Sequence, residues 1–106
     1  MAMFYQAGEK INYKVTGTSV AYHEVVVIGE LIGVTTRAAQ VGEVVACDVV
    51  GVFQMDKAAG AIEQGAKVYL DSDNKITTTA ESNTYCGVAW EAAANSDTVC
   101  LVKINA

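Results

Sequence analysis

The sequence predicts an all-β protein, a small single-domain β-barrel or β-sandwich of about eight short strands with a short N-terminal arm. Short β-branched and apolar runs recur along the chain and are separated by turn residues. No stretch has both the length and the apolar period of an ordinary helix. The chain contains no proline, so Gly, Asn and Asp supply the turns, which is typical of tight hairpins and bulges.

Length and composition limit the class of protein. The chain of 106 residues is one domain by length, and we divide it into an N-terminal arm, residues 1–8, and a β domain, residues 9–106. Hydrophobic residues make up 52% and charged residues 18%, which argues against intrinsic disorder. The mean hydropathy of +0.27 is high for a free-standing soluble monomer. It indicates either a generous core or apolar surface that a partner covers.

The charge balance argues against nucleic acid as the main partner. The net charge is −5, whereas phosphate binding draws on clustered Lys and Arg, and here these residues are scattered singly. No uncharged apolar run approaches the roughly 18 residues that a membrane helix requires. The N-terminal residues lack the basic region and the long apolar core of a signal peptide, which predicts synthesis in the cytoplasm.

The first third of the chain predicts three strands. Lys10–Val15 alternates apolar and polar residues, as a half-buried strand does. A turn at 16–19 then returns the chain toward 20–22. Val25–Ile28 is a continuous β-branched run, which predicts a strand covered on both faces. Leu31–Thr36 follows as the next strand.

The middle of the chain predicts a long strand that is interrupted. Residues 37–42 form a polar connection. Glu43–Met55 exceeds the length of an ordinary strand, and Gly51 is expected to bend it or to split it in two. Residues 56–65 are expected to form a loop with at most one helical turn, because two glycines in this segment count against a helix.

The last third contains the clearest local prediction, a β-hairpin. Lys67–Leu70 and Lys75–Thr79 are its strands, and the connecting 71–74 is rich in Asp, Ser and Asn, whose side chains bond their own backbone. Tyr85–Glu91 and Thr98–Ile104 are the last two strands, and the second of them is expected to be buried.

Glycine positions carry two further predictions. Gly33 and Gly87 interrupt predicted strands, which indicates bulges or close backbone approaches. A weak internal echo, with one constant spacing, leaves open whether two similar turn–strand units pack in one barrel or the matches are chance. The echo matches Ala38 with Ala61, Gly42 with Gly65, Val45 with Val68 and Asp48 with Asp71.

The three cysteines predict reduced, buried thiols. Cys47, Cys86 and Cys100 lie far apart without a C-x-x-C pair, and an odd count without a secretory signal is typical of free thiols. Strand alternation places Cys47 and Cys100 among buried aliphatic residues, as small hydrophobes. A catalytic pair of His23 with Cys86 or Cys100 would need a nucleophile motif, and none surrounds either thiol.

Other catalytic and metal-binding arrangements find no support. The single histidine, His23, has no closely spaced ligands for a metal site, and a surface position is favoured. Asp71 and Asp73 lack the other ligands of a calcium loop, so a hairpin turn is favoured there. Trp90 is expected to lie in the core. The phosphate loops of nucleotide hydrolases are absent, and the sequence predicts no cofactor and no enzyme.

The N-terminal arm supplies the candidate binding residues. Met3, Phe4 and Tyr5 are apolar or aromatic, and Gln6 follows them. An apolar arm at a terminus has no obligatory core to join, so contact with a partner is favoured over packing on its own domain.

Four stretches, taken in order, resemble one protein family. They are VVVIGELIGVT, AAQVGEVVACDVVGVFQMDKAAG, IEQGAKVYLDSDNKITTTA and YCGVAWEAAANSDTVCLVKIN. The series resembles small phage and prophage capsid decoration, or cement, proteins, which were long filed as a domain of unknown function and often labelled RecA/RadA-type recombinases. The resemblance covers nearly the whole chain from Gly8 onward, and Gly51–Phe53 and Gly65–Tyr69 are its most specific pieces. The recombinase label has no support, because that activity needs a phosphate loop and a longer chain.

Two positions depart from the family pattern. Family members commonly have a glycine before the strand that begins here at Val25, where this chain has Tyr22-His23-Glu24. An arginine is usual in the last strand, where Lys103 stands. The departures concern local turn and contact details.

The resemblance implies a rigid, non-catalytic protein on the outer surface of a phage head. It implies binding at junctions between subunits of the major capsid protein, where the protein opposes the pressure of packaged DNA. A homo-oligomer is implied, with a trimer at local threefold axes favoured, made and assembled in the host cytoplasm. No cofactor, direct nucleic-acid contact or membrane is implied. Met3, Phe4, Tyr5 and Gln6 are then the candidate capsid-contact residues, docking by strand addition.

Two other functions remain open. One is a small β-barrel adaptor that binds a peptide or nucleic acid inside a larger assembly, which a basic face would favour. The other is a different structural component of the phage head or tail. An acidic surface with an apolar underside would favour the cement protein.

Overall fold

The structure, a computed structural model, describes residues 2–3 and 6–106. The described part contains two antiparallel sheets and no helix, which confirms the all-β prediction. The sheets are not closed into a barrel, and a sandwich is consistent with them. Nothing in the described part forms a helix with the length and hydropathy to cross a membrane. The strands are β1 Lys10–Lys14, β2 Val25–Ile28, β3 Leu31–Thr35, β4 Val44–Asp48, β5 Val52–Asp56, β6 Lys67–Leu70, β7 Ile76–Thr77, β8 Thr84–Ala89 and β9 Val99–Ile104.

The first sheet has the order β1-β4-β3-β2. Strands β2 and β3 form a hairpin with Ile28 opposite Leu31, and β4 pairs with β1 along its whole length. Strand β2 is an edge strand, and its Val27 is 45% exposed. The prediction that this strand is covered on both faces was therefore wrong, because a β-branched run also suits an edge strand with one face in solvent.

The second sheet has the order β5-β9-β8-β6-β7. Gly51, with a φ of 127°, separates β4 from β5 and so splits the long apolar run between the two sheets, as the sequence predicted. The predicted hairpin forms, but its return strand β7 has only two residues. One parallel bridge joins Ile76 of β7 to Lys57, the residue after β5. Strand β7 therefore approaches the end of β5, but the single bridge does not extend into the continuous pairing that would close the sheet into a barrel.

The two sheets are built on the same plan. Strands β1, β2, β3 and β4 occupy the same places in the order of the first sheet as β5, β6, β8 and β9 in the second. Each sheet has an antiparallel bridge outside its strands, Val20 with Ala39 in one and Ile62 with Ala93 in the other. The chain between the two bridge residues is longer in the second sheet, because it contains an insertion that includes β7.

Hydrogen bonds between turns and strands repeat in the same way. The backbone N–H of His23 donates to Thr35 O at 3.1 Å, and that of Gly65 donates to Ala89 O at 2.9 Å. His23 follows the bridge residue Val20 at the same spacing as Gly65 follows Ile62. Thr35 likewise precedes Ala39 at the same spacing as Ala89 precedes Ala93. The chain therefore contains an internal structural duplication.

Few residues are shared by the two copies. We refer to residues 9–50 as the first half and to residues 51–105 as the second half. Buried positions keep their apolar character while the residue changes, as at Ile32 and Cys86, and this conceals the duplication in the sequence. The identical aligned pairs are Val26 and Val68, Gly33 and Gly87, Val34 and Val88, Ala38 and Ala92, Ala39 and Ala93, and Val44 and Val99.

The internal echo that the sequence shows has a structural basis of a different kind. Two of its matched residues, Gly42 and Gly65, both lie in turns that precede a strand, β4 and β6. These glycines belong to different places in the duplicated unit, since the counterpart of Gly65 is His23. Similar turn–strand units therefore exist, but the duplication itself aligns other residues.

The halves share a core. The larger cluster of buried side chains lies mainly on the second sheet and includes Ile32 and Val34 of β3, whereas the smaller cluster belongs to the first half. Asn105 adds polar contacts between the halves. Its Oδ1 accepts a hydrogen bond from Ile32 N at 2.8 Å, and its Nδ2 donates to Ile32 O at 2.7 Å and to Val49 O at 2.8 Å.

Candidate functional site

The three thiols are poor candidates for chemistry. Cys47, Cys86 and Cys100 are free and at most 5% exposed, which confirms the prediction of reduced, buried cysteines. Burial raises the pKa of all three thiols above its ordinary value, to about 12 for Cys86. A thiol that stays protonated is a weak nucleophile. His23 is exposed and stacks on Tyr22, so the structure does not assemble a Cys–His pair.

The acidic hairpin turn is structural. The Asp71 Oδ1 accepts hydrogen bonds from the backbone N–H groups of Asp73 at 2.9 Å and Lys75 at 3.0 Å, as expected for a turn rich in such residues. Within residues 2–3 and 6–106, no group of three or more His, Cys, Asp or Glu side chains is placed to hold a metal ion.

The N-terminal arm is described in part. Met3 is 83% exposed, and Gln6 donates from Nε2 to Lys10 O at 3.3 Å. Phe4 and Tyr5 lie outside the described residues. The structure therefore leaves the four arm residues as predicted contact residues, and the division of the chain at residue 8 also stays a prediction.

The described surface carries several large apolar side chains that are exposed to solvent. Such residues are enriched where a partner covers a protein. Sequence reasoning found only Met3 among them, because single valines on strand faces carry no signal of exposure. Large apolar residues at least 39% exposed are Met3, Tyr22, Val27, Leu31, Val41, Val44, Val50, Val52, Trp90 and Val99.

Trp90 is one of these residues and not a core residue. It is 49% exposed because alternation at the end of β8 turns Ala89 into the core and leaves Val88 and Trp90 on the outer face. The Trp90 N–H still donates to Leu101 O at 2.9 Å, and a register shift in the β6–β8 pairing separates this face from the buried Cys86. Its carbonyl oxygen accepts a hydrogen bond from Gln64 Nε2 at 3.3 Å. Trp90, Gln64 and Gly65 line a shallow open cleft of ≈ 380 Å³.

An aromatic residue is exposed beside the corresponding turn in the first half. Tyr22 is 62% exposed, and its ring stacks on His23 with centroids 3.7 Å apart. Tyr22 and His23 occupy the places of Gln64 and Gly65 in the second half. Both halves therefore present an aromatic side chain next to the same turn, although it comes from different positions of the repeat.

His23 adopts a backbone conformation that is unusual for a residue with a side chain. It has a φ of 57°, in the left-handed region that favours glycine. Gly65, its counterpart, has a φ of 82°. This turn therefore has a positive φ in both halves, adopted by histidine in the first and by glycine in the second.

The outer edge of β2 is also open. The backbone N–H of Thr35 donates to Glu24 O at 3.0 Å, and alternation along an antiparallel pair then directs the backbone groups of Val26 and Ile28 toward β3. Those of Val27 point away from β3. Among the described strands, none pairs with this edge.

The described residues thus present exposed apolar side chains and an open strand edge. A family model described as "Phage cement protein" matches residues 5–104, nearly the whole chain. Neither curated proteins nor solved structures give a match. The matching family is one of structural proteins that stabilise phage capsids, and it places the protein in the virion capsid in association with capsid proteins. This chain belongs to the phage cement protein family.

Proposed function

We propose that the protein binds the outside of a phage head and stabilises the lattice of the major capsid protein without catalysing a reaction. The observation that carries the proposal is the family match over residues 5–104. The exposed apolar residues of both halves support it, because a protein that works by contact needs such a surface.

A lattice protein acts through many copies. Each copy contributes a modest interface, and the repeated contacts strengthen the shell together. We propose a homo-oligomer, with a trimer favoured, as the unit that binds at junctions between capsid subunits. The mean hydropathy of +0.27 supports self-association, because apolar surface beyond the needs of a small core is then covered.

The copy number in purified heads tests the proposed function. Mass spectrometry should find this protein at a copy number near that of the major capsid protein, and heads lacking it should release DNA at a lower temperature. A copy number near a dozen would instead favour a vertex or tail component. Absence from purified heads would overturn the proposal altogether.

The arm residues Met3, Phe4, Tyr5 and Gln6 are the proposed capsid contact, docking by strand addition. Deleting residues 2–6 should abolish binding to heads while far-UV circular dichroism shows an unchanged β domain. A control that replaces residues 2–6 by Gly and Ser at the same length separates the side chains from the length of the arm. Undiminished binding of both variants would rule out the arm as the contact.

A further inference from the structure

The second half shows what covers the edge of a sheet in this fold. Strand β7 pairs with β6, with Leu70 opposite Ile76 and Tyr69 opposite Thr77. The backbone N–H of Ala58 donates to Ile76 O at 2.9 Å, so β7 also contacts the segment after β5. Ile76 is fully buried, at 0% exposed. A very short strand is therefore enough to cover this edge and to fill an apolar position.

The first half lacks that strand. The insertion in the second half includes β7, whereas β2 passes directly to β3 through the turn at Gly29 and Glu30. The counterparts of Tyr69 and Leu70 are Val27 and Ile28. Val27 is 45% exposed, and no other described strand lies on its outer side.

The backbone groups at this edge point in the direction needed for pairing. The hydrogen bond from Thr35 N to Glu24 O fixes the alternation of β2, which turns the N–H and C=O of Val27 outward. Tyr69 occupies the same place in β6, and its outward groups face Thr77 of β7. The edge at Val27 is thus the unoccupied counterpart of the β6–β7 pairing.

The charges around β2 favour a particular occupant. Glu24 and Glu30 stand at its two ends, and the whole chain carries a net charge of −5. A neutral or basic segment therefore meets less repulsion here than another acidic surface does. In the second half, the buried Ile76 of β7 lies opposite Leu70, the counterpart of Ile28. We therefore expect the bound segment to place a β-branched or other apolar side chain opposite Ile28.

We infer that the edge of β2 at Val27 and Ile28 accepts an extended, neutral or basic segment of a capsid subunit, antiparallel to β2 in the place that β7 holds on β6. The contact is β-strand addition, in which backbone hydrogen bonds supply affinity and the side-chain pocket supplies specificity. The inference rests on the proposed function and names a second contact besides the arm.

A proline substitution tests the backbone contact. Val27→Pro removes an outward N–H from an edge strand, a position where proline is tolerated in sheets. Gln54→Pro is the matched control, because the bond from Lys57 N to Thr98 O shows that Gln54 of the edge strand β5 also points its N–H outward. Binding to heads assembled without this protein is measured by co-sedimentation. Val27→Pro should bind at least tenfold more weakly than wild type, and Gln54→Pro within twofold of it.

A second measurement covers the case in which Val27→Pro fails to fold. A photo-cross-linking amino acid at position 27 should join the protein to one segment of the capsid subunit, identified by mass spectrometry. Cross-links confined to residues 1–6 of the same or another copy, or no cross-link on decorated heads, would overturn the inference. So would wild-type affinity of a folded Val27→Pro. If the wild-type protein itself does not bind heads, the proposed function fails; if wild type binds and the variant binds equally, only this inference fails.

Discussion

The two halves of the molecule share a backbone plan and differ in how that plan is held and covered. The first half keeps an open β2 edge, and at the buried place of Val15 it has a valine where the second half has Lys57. The second half adds β7, and Lys57 beneath it donates to the carbonyl oxygen of Ala58 at 3.0 Å. The same arrangement of backbone hydrogen bonds therefore accepts either an apolar residue or a hydrogen-bonded polar residue at one buried position.

The difference also separates scaffold from binding surface. Buried counterparts such as Val45 and Cys100, or Cys47 and Val102, remain small and apolar in both halves. Exposed counterparts such as Tyr22 and Gln64 change freely. The constraint on the buried positions is packing volume, so the exposed positions are where the halves are free to differ.

The largest expected effect distinguishes the two aligned glycines, Gly33 and Gly87. A Cβ at Gly87 would lie 2.0 Å from the carbonyl oxygen of Lys103 and 3.0 Å from the Cα of Ile104, and this backbone cannot move without breaking the β8–β9 pairing. Gly87→Ala should lower the free energy of unfolding by about 4 kcal/mol or more, the scale of severe steric damage. Urea unfolding followed by far-UV circular dichroism measures the loss.

Gly33→Ala is the matched control. The three atoms nearest to its Cβ would belong to side chains, Ile28 Cδ1 at 3.0 Å, Cys47 Cβ at 3.1 Å and Val26 Cγ2 at 3.3 Å. The ends of Ile28 and Val26 can shift whereas the Cβ of Cys47 is fixed to its backbone, and overpacking of this kind costs about 1–3 kcal/mol. Equal losses at the two glycines would show that they do not have the different surroundings described here.

The second expected effect concerns Asn105, which joins the halves. Asn105→Ala removes three hydrogen bonds to partly buried backbone groups of Ile32 and Val49. Unpaired buried groups cost about 1–3 kcal/mol each, so a total loss of about 3 kcal/mol in the free energy of unfolding is expected by urea denaturation.

Asn105→Gly separates the amide from the backbone conformation. Asn105 has a φ of 56°, and glycine adopts such a φ without steric cost. The glycine variant should lose nearly as much stability as the alanine variant, because both lack the side-chain amide. A glycine variant as stable as wild type would mean that backbone conformation, and not hydrogen bonding, sets the importance of this position.

The fold class could be predicted because it depends on local patterns. The alternation at Lys10–Val15 and the Asp-rich turn at 71–74 indicate strands and a hairpin without knowledge of their partners. The duplication could not be predicted, because packing volume preserves the fold without preserving residue identity. Cys86 in the place of Ile32 fills the same core and leaves no trace in an alignment by identity.

Among the exposed apolar residues, only Met3 of the arm was predicted from the sequence. Met3 stands out in the sequence because a terminal apolar residue has no strand to belong to. Val27 and Trp90 were interpreted as covered or buried, because neither an edge strand nor a register shift that changes which face a residue occupies can be recognised in the sequence. Exposure at those positions depends on which strands are neighbours, and strand order is not a local property.

The third effect concerns Cys86, an ionisable residue at a position where the first half has an aliphatic one. Cys86 occupies the place of Ile32, and burial raises the pKa of its thiol from 9.0 to about 12. Between these two values the unfolded chain has lost the proton and the folded protein keeps it, so stability falls as the pH rises. The loss at pH 10.5 should be about 2 kcal/mol relative to pH 8.

Cys86→Val tests the origin of that loss. Valine is aliphatic, like the residue in the first half, and it cannot ionise. The variant should lose less stability between pH 8 and pH 10.5 than wild type does, by chemical denaturation at each pH. Identical pH dependence in the two proteins would show that the Cys86 thiol is not responsible.

The smallest effect concerns the turn that both halves share, where the first half has His23 and the second has Gly65. His23 holds a φ of 57° and Gly65 a φ of 82°, a region that costs a residue with a Cβ about 1–2 kcal/mol. Replacing His23 by glycine removes this cost, but the greater conformational entropy of glycine in the unfolded chain offsets part of the gain in stability. His23→Gly should therefore raise the free energy of unfolding by about 0.5 kcal/mol, and Gly65→Ala should lower it by about 1 kcal/mol. Thermal and urea unfolding of both variants measure these shifts, and a loss of stability in His23→Gly would mean that the exposed stack of His23 on Tyr22 outweighs the backbone strain.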